Sequence, residues 1–344
     1  MSKETDPAGH YVEETFERDT NYINDRVTAD GRDGWPVEPS RYRLIVARAC
    51  PWAHRAAIVR RLLGLEDVMS LGIAHPTHGE KSWNFNRDPD GVDPVLKIHR
   101  LREAYDTRFG TYPRGITVPA LVEVETGRVV TNDYRQMTLD FSTEWVAHHR
   151  DGAPELYPAH LRDEIDTLSQ TIYREVNNGV YRAGFAGSQA SYEEAYDTLF
   201  ARLDWLEQHL ATRRYLVGEH MTEADVRLFT TLVRFDAVYH NHFKCNRNKL
   251  TEMPVLWAYA RDLYQTPGFY DTVDFVEIKQ HYYEVHTDLN PTRVIPKGPE
   301  VHGWLTAHGR EALGGTPFGD GTAPGPVAAG EAVPRENNPA VVTG

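Results

Sequence analysis

The apolar pattern of the chain changes near residue 158, and that change limits what the chain can fold into. Before it, short strand-like runs alternate with helical patterns. "RYRLIVARA" (41–49) is an apolar strand run. "CPWAHRAAIVRRLLGL" follows with Ala53, Ala57, Ile58 and Leu62 on one helical face and Arg55, Arg60 and Arg61 mostly on the other. "VMSLGIAHP" (68–76) predicts a second strand. "TVPALVEVETGRVVTND" (117–133) predicts a hairpin turning at Thr126-Gly127, and "DYRQMTLDFSTEWV" a helix behind it. Beyond about residue 158 the spacing is helical. Leu161, Ile165, Leu168, Ile172 and Val176 make one stripe; Tyr192, Ala195, Leu199, Leu203 and Leu206 make another. Thr222 followed by Asp225 predicts a capping box opening "MTEADVRLFTTLVRFDAVY", and "PVLWAYARDLYQTPGF" predicts a further helix.

The order strand, helix, strand, then strand, strand, helix fits a small mixed sheet covered by helices, the thioredoxin-like layout. The expected fold class is α/β plus all-α, a thioredoxin-like domain followed by an all-helical domain. Expected boundaries are 1–40 for an N-terminal extension, 41–150 for the sheet domain, 151–309 for the helical domain and 310–344 for a tail. Residues 77–110 read as a long polar insertion anchored by Trp83 and Phe85. Residues 310–344 have little to bury and read as disordered.

Charge and cysteine content narrow the function. A net charge of -13 disfavours nucleic acid and anionic membrane as partners, because both need a basic face. No apolar run approaches a membrane span, and the polar, acidic first residues lack a secretory core. A cytoplasmic protein is expected. Two cysteines, Cys50 and Cys245, cannot staple a chain of 344 residues, and no Cys/His spacing suits zinc, so no metal is expected.

Cys50 stands where a strand ends and a helix begins. A helix start supplies free N–H donors and the positive end of the dipole, and both stabilise a thiolate. A cysteine there can have its pKa lowered from about 8.5 to roughly 3.5–7.5. Pro51 suits the first helical position, where no N–H is needed. His54 and Arg55, one turn along, add positive potential. The other role open to Cys50 is that of a small buried hydrophobe. The Val118-Pro119 step opening the hairpin favours the reactive role, since in this layout that bond is often cis and its preceding residue faces the cysteine. Ala53 stands at the position of a second Cys in a C-x-x-C motif, so an external thiol must resolve any disulfide on Cys50. Cys245, in "FKCNRNKL", has none of these features and reads as structural.

"ACPWAHRA", "GLEDVMSLGIAHP", "TVPALVE", "NNGVYRAGFA", "YLVGEHMTEADVRLFTTLVRFDAVYHNHFKCN" and "IKQHYYEVHTDLNPTRVIPKGP" together resemble the glutathionyl-hydroquinone reductases, the Xi class of glutathione transferases, over roughly residues 40 to 300. The resemblance implies a thioredoxin-like thiol-binding domain, an all-helical glutathione-transferase domain and a homodimer. It implies reduction of a glutathionyl-hydroquinone by way of a Cys50–glutathione mixed disulfide, which a second glutathione releases. It also implies that Trp83 lies against the bound thiol, a hydrophobic anchor for the insertion being its other possible role. Val118 would hold the thiol's peptide through its backbone, and Arg108 or Arg114 would meet a carboxylate. Tyr181, Tyr239 and one of Tyr282 and Tyr283 would line the aromatic substrate pocket; a phenol there can donate to a quinol oxygen.

The chain departs from the family's pattern after the second hairpin strand. Members carry Glu-Ser there, which hold the γ-glutamyl ammonium and carboxylate. "TNDYRQM" offers Asp133 and Tyr134 instead, one a methylene shorter and the other much larger. The swap raises the alternative of mycothiol, a cysteinyl sugar conjugate, in place of glutathione. Two further readings compete: a general thiol transferase reducing mixed disulfides or dehydroascorbate, and a non-catalytic interaction module that keeps the transferase fold.

Overall fold

The computed structural model describes residues 15–19, 22–79 and 82–341. These divide into two compact units. The first, called here the cysteine unit, spans Asn21–Tyr157, Thr266–Ile295 and Asp320–Gly344. The second, the helical unit, comprises Pro158–Gln265, Pro296–Gly319 and the residues before Asn21. The division departs from the simple boundaries expected, because two late segments return to the cysteine unit.

In the cysteine unit a four-stranded sheet has the order β2-β1-β3-β4. The strands are β1 (Tyr42–Val46), β2 (Met69–Ile73), β3 (Ala120–Glu123) and β4 (Val129–Thr131). β1 pairs parallel with β2 in the register Leu44↔Leu71, and antiparallel with β3 through Leu44↔Leu121. Every residue of β1 is buried, which is why its sequence is a continuous run and not an alternation. Helices α1 (Pro51–Leu63), α2 (Arg102–Phe109), α3 (Tyr134–Thr143) and a later helix, Phe275–Val285, complete the unit. α1 ends at Gly64, whose φ of 71° is the left-handed cap a glycine adopts freely.

Three expectations are corrected here. Arg55, Arg60 and Arg61 do not form a solvated face; their exposures are 2%, 1% and 6%. Acidic and carbonyl partners make that burial possible: Arg61 donates to Asp271 and Arg60 to Glu331. The insertion is held by more than Trp83 and Phe85. Asp93, fully buried, accepts from Arg43 Nε at 3.0 Å and Nη2 at 2.9 Å, and also accepts the Val95 and Leu96 N–H groups. Finally, the tail expected to be disordered is described as far as Val341 and pinned by polar contacts. Arg61 donates to Gly325 O at 2.7 Å, and Asn338 Nδ2 to Val273 O at 2.8 Å. Composition misleads there because the segment is held by hydrogen bonds to arginine and asparagine, with few apolar side chains. The N-terminal arm is similarly placed: Ile23 N–H donates to Asn132 Oδ1 at 2.7 Å, and Asn24 bridges to Thr131 beside the edge strand β4.

The helical unit contains α4 (Arg162–Ile172), α5 (Gly179–Gly184), α6 (Gln189–Leu210), α7 (Glu223–Arg234) and α8 (Pro254–Tyr264). Phe275–Val285 is α9. Ile165, Ile172, Val176, Leu199, Leu203 and Leu206 are buried as their spacing predicts. The Thr222/Asp225 capping box is present. Asp225, fully buried, also accepts from Leu216 N at 2.9 Å and Tyr259 Oη at 2.6 Å. π-helical turns follow α4 (Tyr173–Asn177) and α7 (Phe235–Tyr239). Among the described residues no helix is long and apolar enough to cross a membrane, and no group of three or more His, Cys, Asp or Glu could hold a metal ion.

Candidate active site

Strand directions gather Cys50, Val118 and Asp133 at one end of the sheet. Cys50 follows β1 and Pro76 follows β2, which runs parallel to it. Val118 precedes the antiparallel β3, and Asp133 follows β4, which reverses again. Cys50 is the N-cap of α1, in extended conformation (φ -76°, ψ 120°), with Pro51 at the first helical position. Its N–H closes a turn onto Ala47 O at 2.9 Å, and the residue is 8% exposed. Cys50 Sγ lies 3.5 Å from Val118 O, and the Val118-Pro119 bond is cis. A sulfur in this setting faces an acceptor on one side and the N-terminal dipole of a 13-residue helix on the other.

The segments around Val118 and Asp133 are joined. Asn132 Nδ2 donates to Thr117 Oγ1 at 2.8 Å, and Tyr105 Oη to Thr117 O at 3.0 Å. Asp133 caps α3 by accepting Arg135 N–H at 3.2 Å, and Arg135 Nε also donates to it at 3.1 Å. Tyr134 is 3% exposed; its ring packs 4.7 Å from Trp52 and 5.4 Å from Tyr22. The Arg55 guanidinium lies over Trp52 at 4.8 Å and over Tyr134 at 5.7 Å. His54, expected with Arg55 to add positive potential, is tied to Thr272 Oγ1 at 2.8 Å.

Trp83 is 6% exposed and its indole is parallel to the His281 ring, with centroids 5.5 Å apart. His281 Nδ1 is 2.6 Å from Pro76 O, so it donates that hydrogen bond. Of the two arginines proposed for the thiol carboxylate, Arg108 is engaged elsewhere. It donates to Val129 O at 3.0 Å and Val130 O at 2.6 Å, and pairs with Asp25. Arg114 is exposed in the loop after α2. Tyr282 and Tyr283 on α9 are buried, Tyr282 with its ring 5.4 Å from His286.

The other two tyrosines belong to the helical unit. Tyr181 and Tyr239 have ring centroids 6.0 Å apart, and Phe243 lies 5.2 Å from Tyr181 and 5.5 Å from Tyr239. The Arg18 guanidinium stacks over Tyr181 at 4.6 Å. Tyr239 is the last residue of the π-helical turn that extends α7, a geometry frequent at functional positions. Cys245 is fully buried, which pushes its thiol pKa up and leaves it inert.

Sequence reasoning misses His281, Arg48, Glu277 and Glu331. Glu277 on α9 is 1% exposed; it pairs with Arg87 and is 3.9 Å from Arg48. Burial, and then the charge of Asp274, raise its carboxyl pKa to about 7. No spacing in the chain announces these contacts, because each joins segments distant in sequence.

The C-terminal domain family of glutathione S-transferases matches residues 189–262. A glutathione transferase from Gordonia bronchialis is 69% identical, with a TM-score of 0.92 over 92% of this chain and 99% of that one. Glutathionyl-hydroquinone reductase YqjG of Escherichia coli is 40% identical over 301 residues, 84% of this chain and 92% of that protein. Its glutathione-bound structure superposes with a TM-score of 0.80. A Xi-class enzyme from Natrialba magadii is also 40% identical, with a TM-score of 0.82 over 90% of this chain and 96% of that one. The chain belongs to the glutathionyl-hydroquinone reductases, the Xi class of glutathione transferases.

Proposed function

We propose that this protein reduces the thiol conjugate of a hydroquinone through a mixed disulfide on Cys50. The observation that carries the reading is the placement of Cys50: N-cap of α1, 3.5 Å from Val118 O, with Ala53 in place of a resolving cysteine. The Cys50 thiolate attacks the sulfur of the conjugate. The S–S bond forms and the carbon–sulfur bond breaks. The electron pair stays on the ring carbon, which takes a proton to give the free hydroquinone. A second thiolate then attacks the mixed disulfide, leaves as the oxidised low-molecular-weight disulfide, and returns Cys50 as thiolate. The ring carbon is reduced and two thiol sulfurs are oxidised, so the cycle balances. Trp83 and Val118 bind the thiol in this reading, with Arg114 as the candidate for its carboxylate. Tyr181, Tyr239, Tyr282 and Tyr283 serve the quinol. The thiol-rich cytosol is the compartment this chemistry needs, and a homodimer goes with it.

Glutathione is the first candidate thiol, on the strength of the glutathione-bound E. coli relative. A second reading, mycothiol, is favoured by one observation. Asp133 accepts both from Arg135 N–H and from its guanidinium, and the bulky Tyr134 follows it, so an incoming ammonium would compete with an internal cation. Turnover of a thiol-substituted menadiol with each thiol, in wild type and Cys50→Ser, tests both. Loss of turnover in Cys50→Ser supports the mechanism, and undiminished turnover rejects it. The adduct mass on Cys50 after exposure to each disulfide identifies the thiol. Faster reaction with a small alkyl disulfide than with the conjugate would favour a general thiol transferase. Slow alkylation of Cys50 at pH 6 would favour a non-catalytic module.

A further inference from the structure

We propose that Glu331, in the C-terminal segment, is a positioning residue for Cys50: it holds the two sides of the β1–α1 junction at whose centre the cysteine stands. The inference rests on Cys50 being the nucleophile.

The carboxylate of Glu331 takes both ends of one guanidinium, accepting from Arg60 Nη1 and Nη2 at 2.7 Å each. Arg60 is on α1, the helix that Cys50 caps, and is 1% exposed. Its third nitrogen, Nε, donates to Met69 O at 2.7 Å on β2. Glu331 thereby completes a link between α1 and the strand that pairs with β1. A bidentate pair of this kind fixes orientation as well as distance.

The same residue reaches the other side of the junction through its backbone. Arg48 Nη2 donates to Glu331 O at 2.6 Å and to Ala332 O at 3.1 Å. Arg48 is the second residue of the tight turn that Cys50 N–H closes onto Ala47 O. Its Nη1 is also 3.9 Å from Asp274 Oδ2 and from Glu277 Oε1, so the guanidinium sits between the tail and α9. One tail residue therefore touches a side chain two positions before Cys50 and another ten positions after it.

The tail has further anchors. Arg61 donates to Gly325 O, Asn337 Nδ2 to Asp274 Oδ2 at 2.9 Å, and Asn338 Nδ2 to Val273 O. A substitution at Glu331 thus loosens the junction while the rest of the segment keeps its attachments. The physical consequence is geometric. If the turn and the helix start shift relative to each other, the sulfur moves with respect to the N-terminal dipole of α1, which favours its thiolate.

The test uses the full chain with Glu331→Ala and Glu331→Gln. The first readout is the pH dependence of iodoacetamide labelling of Cys50, followed by peptide mass spectrometry. It needs no substrate, so it stands even if the proposed reaction fails. We expect the labelling midpoint of Glu331→Ala to rise by about half a pH unit or more. kcat should fall roughly tenfold with the thiol KM nearly unchanged, as expected for a misaligned reacting group. Glu331→Gln, which keeps one acceptor on Arg60, should recover part of both. Melting temperatures are recorded alongside. A wild-type labelling profile and kcat in folded Glu331→Ala overturn the proposal. So does a loss of kcat that vanishes when the variant is assayed well below its melting temperature. Should Glu331→Ala not fold, the paired change Arg60→Met with Glu331→Met removes the ion pair without leaving a lone buried cation. A shifted midpoint in that variant supports the proposal, and an unshifted one overturns it.

Discussion

The imidazole of His281 is parallel to the indole of Trp83, with planes 16° apart and centroids at 5.5 Å. Its Nδ1–H is held by Pro76 O at 2.6 Å. One face of Trp83 is therefore closed by His281, and the His78 ring lies 4.7 Å from the indole as well. His281→Ala uncovers that face. Losing an aromatic contact worth about 1 kcal/mol should raise the thiol KM about fivefold and shift the indole emission to the red. Unchanged KM and emission would remove Trp83 from the thiol site.

Tyr134 fills space between Trp52 and Tyr22. Tyr134→Ser should cost roughly 3 kcal/mol in urea unfolding, because a buried ring is removed and the site collapses only partly. If the tyrosine also selects the thiol, the ratio of kcat/KM for glutathione to that for mycothiol rises in the variant. A ratio equal to wild type assigns Tyr134 to packing alone.

Glu277 makes stability depend on pH in a defined direction. Its carboxyl pKa is raised from 4.5 to about 7, chiefly by burial and then by Asp274, with Arg48 and Arg87 opposing. The folded state therefore holds a proton that the unfolded chain releases above pH 4.5. The stability this contributes is complete below pH 4.5 and is lost as pH rises through about 7. Glu277→Gln mimics the protonated form. Its stability relative to wild type should improve by about 3 kcal/mol between pH 4.5 and pH 8, measured as the difference in urea unfolding free energy. A difference that does not vary with pH would contradict this.

Arg108 holds two β4 carbonyls and Asp25. Arg108→Met should lower stability by roughly 1–3 kcal/mol, through carbonyls left without a donor, and leave the thiol KM within about twofold. A large rise in KM without loss of stability would return Arg108 to the binding site.

Gly184 ends α5 with its Cα against the Phe243 ring, where an added Cβ would overlap ring atoms. Phe243 also packs on Tyr181 and Tyr239. Gly184→Ala should destabilise by about 1–3 kcal/mol and raise the KM for the aromatic substrate while sparing the thiol KM. Equal effects on both constants would argue against a quinol site at these tyrosines.

Much of the scaffold is legible in the chain because periodicity is local. β1, α1 and the hairpin each carry their own pattern, and Thr222 with Asp225 announces the start of α7 within four residues. Cys50 and Val118 are legible for the same reason: a strand-to-helix join and a Val-Pro step are short signals. The arginines of α1 are not. Their spacing looks like a solvated face, and only the arrival of Asp271 and Glu331, more than 200 residues later, makes their burial tolerable. The tail misleads in the opposite sense. Its composition predicts disorder, yet hydrogen bonds to carbonyls hold it where apolar area could not. His281 and Glu277 are hidden likewise, since both acquire their surroundings from the insertion and from the loop before Cys50.

Ala53, one turn beyond Cys50, also bears on bookkeeping at the level of the cell. The only other sulfur able to close a disulfide, Cys245, is fully buried in the helical unit. In the proposed cycle Cys50 carries one sulfur adduct at a time, and with Ala53 in its motif only an external thiol discharges it. Under oxidative depletion of small thiols it would stall as a capped form, and its idle fraction would report the supply of reductant around it.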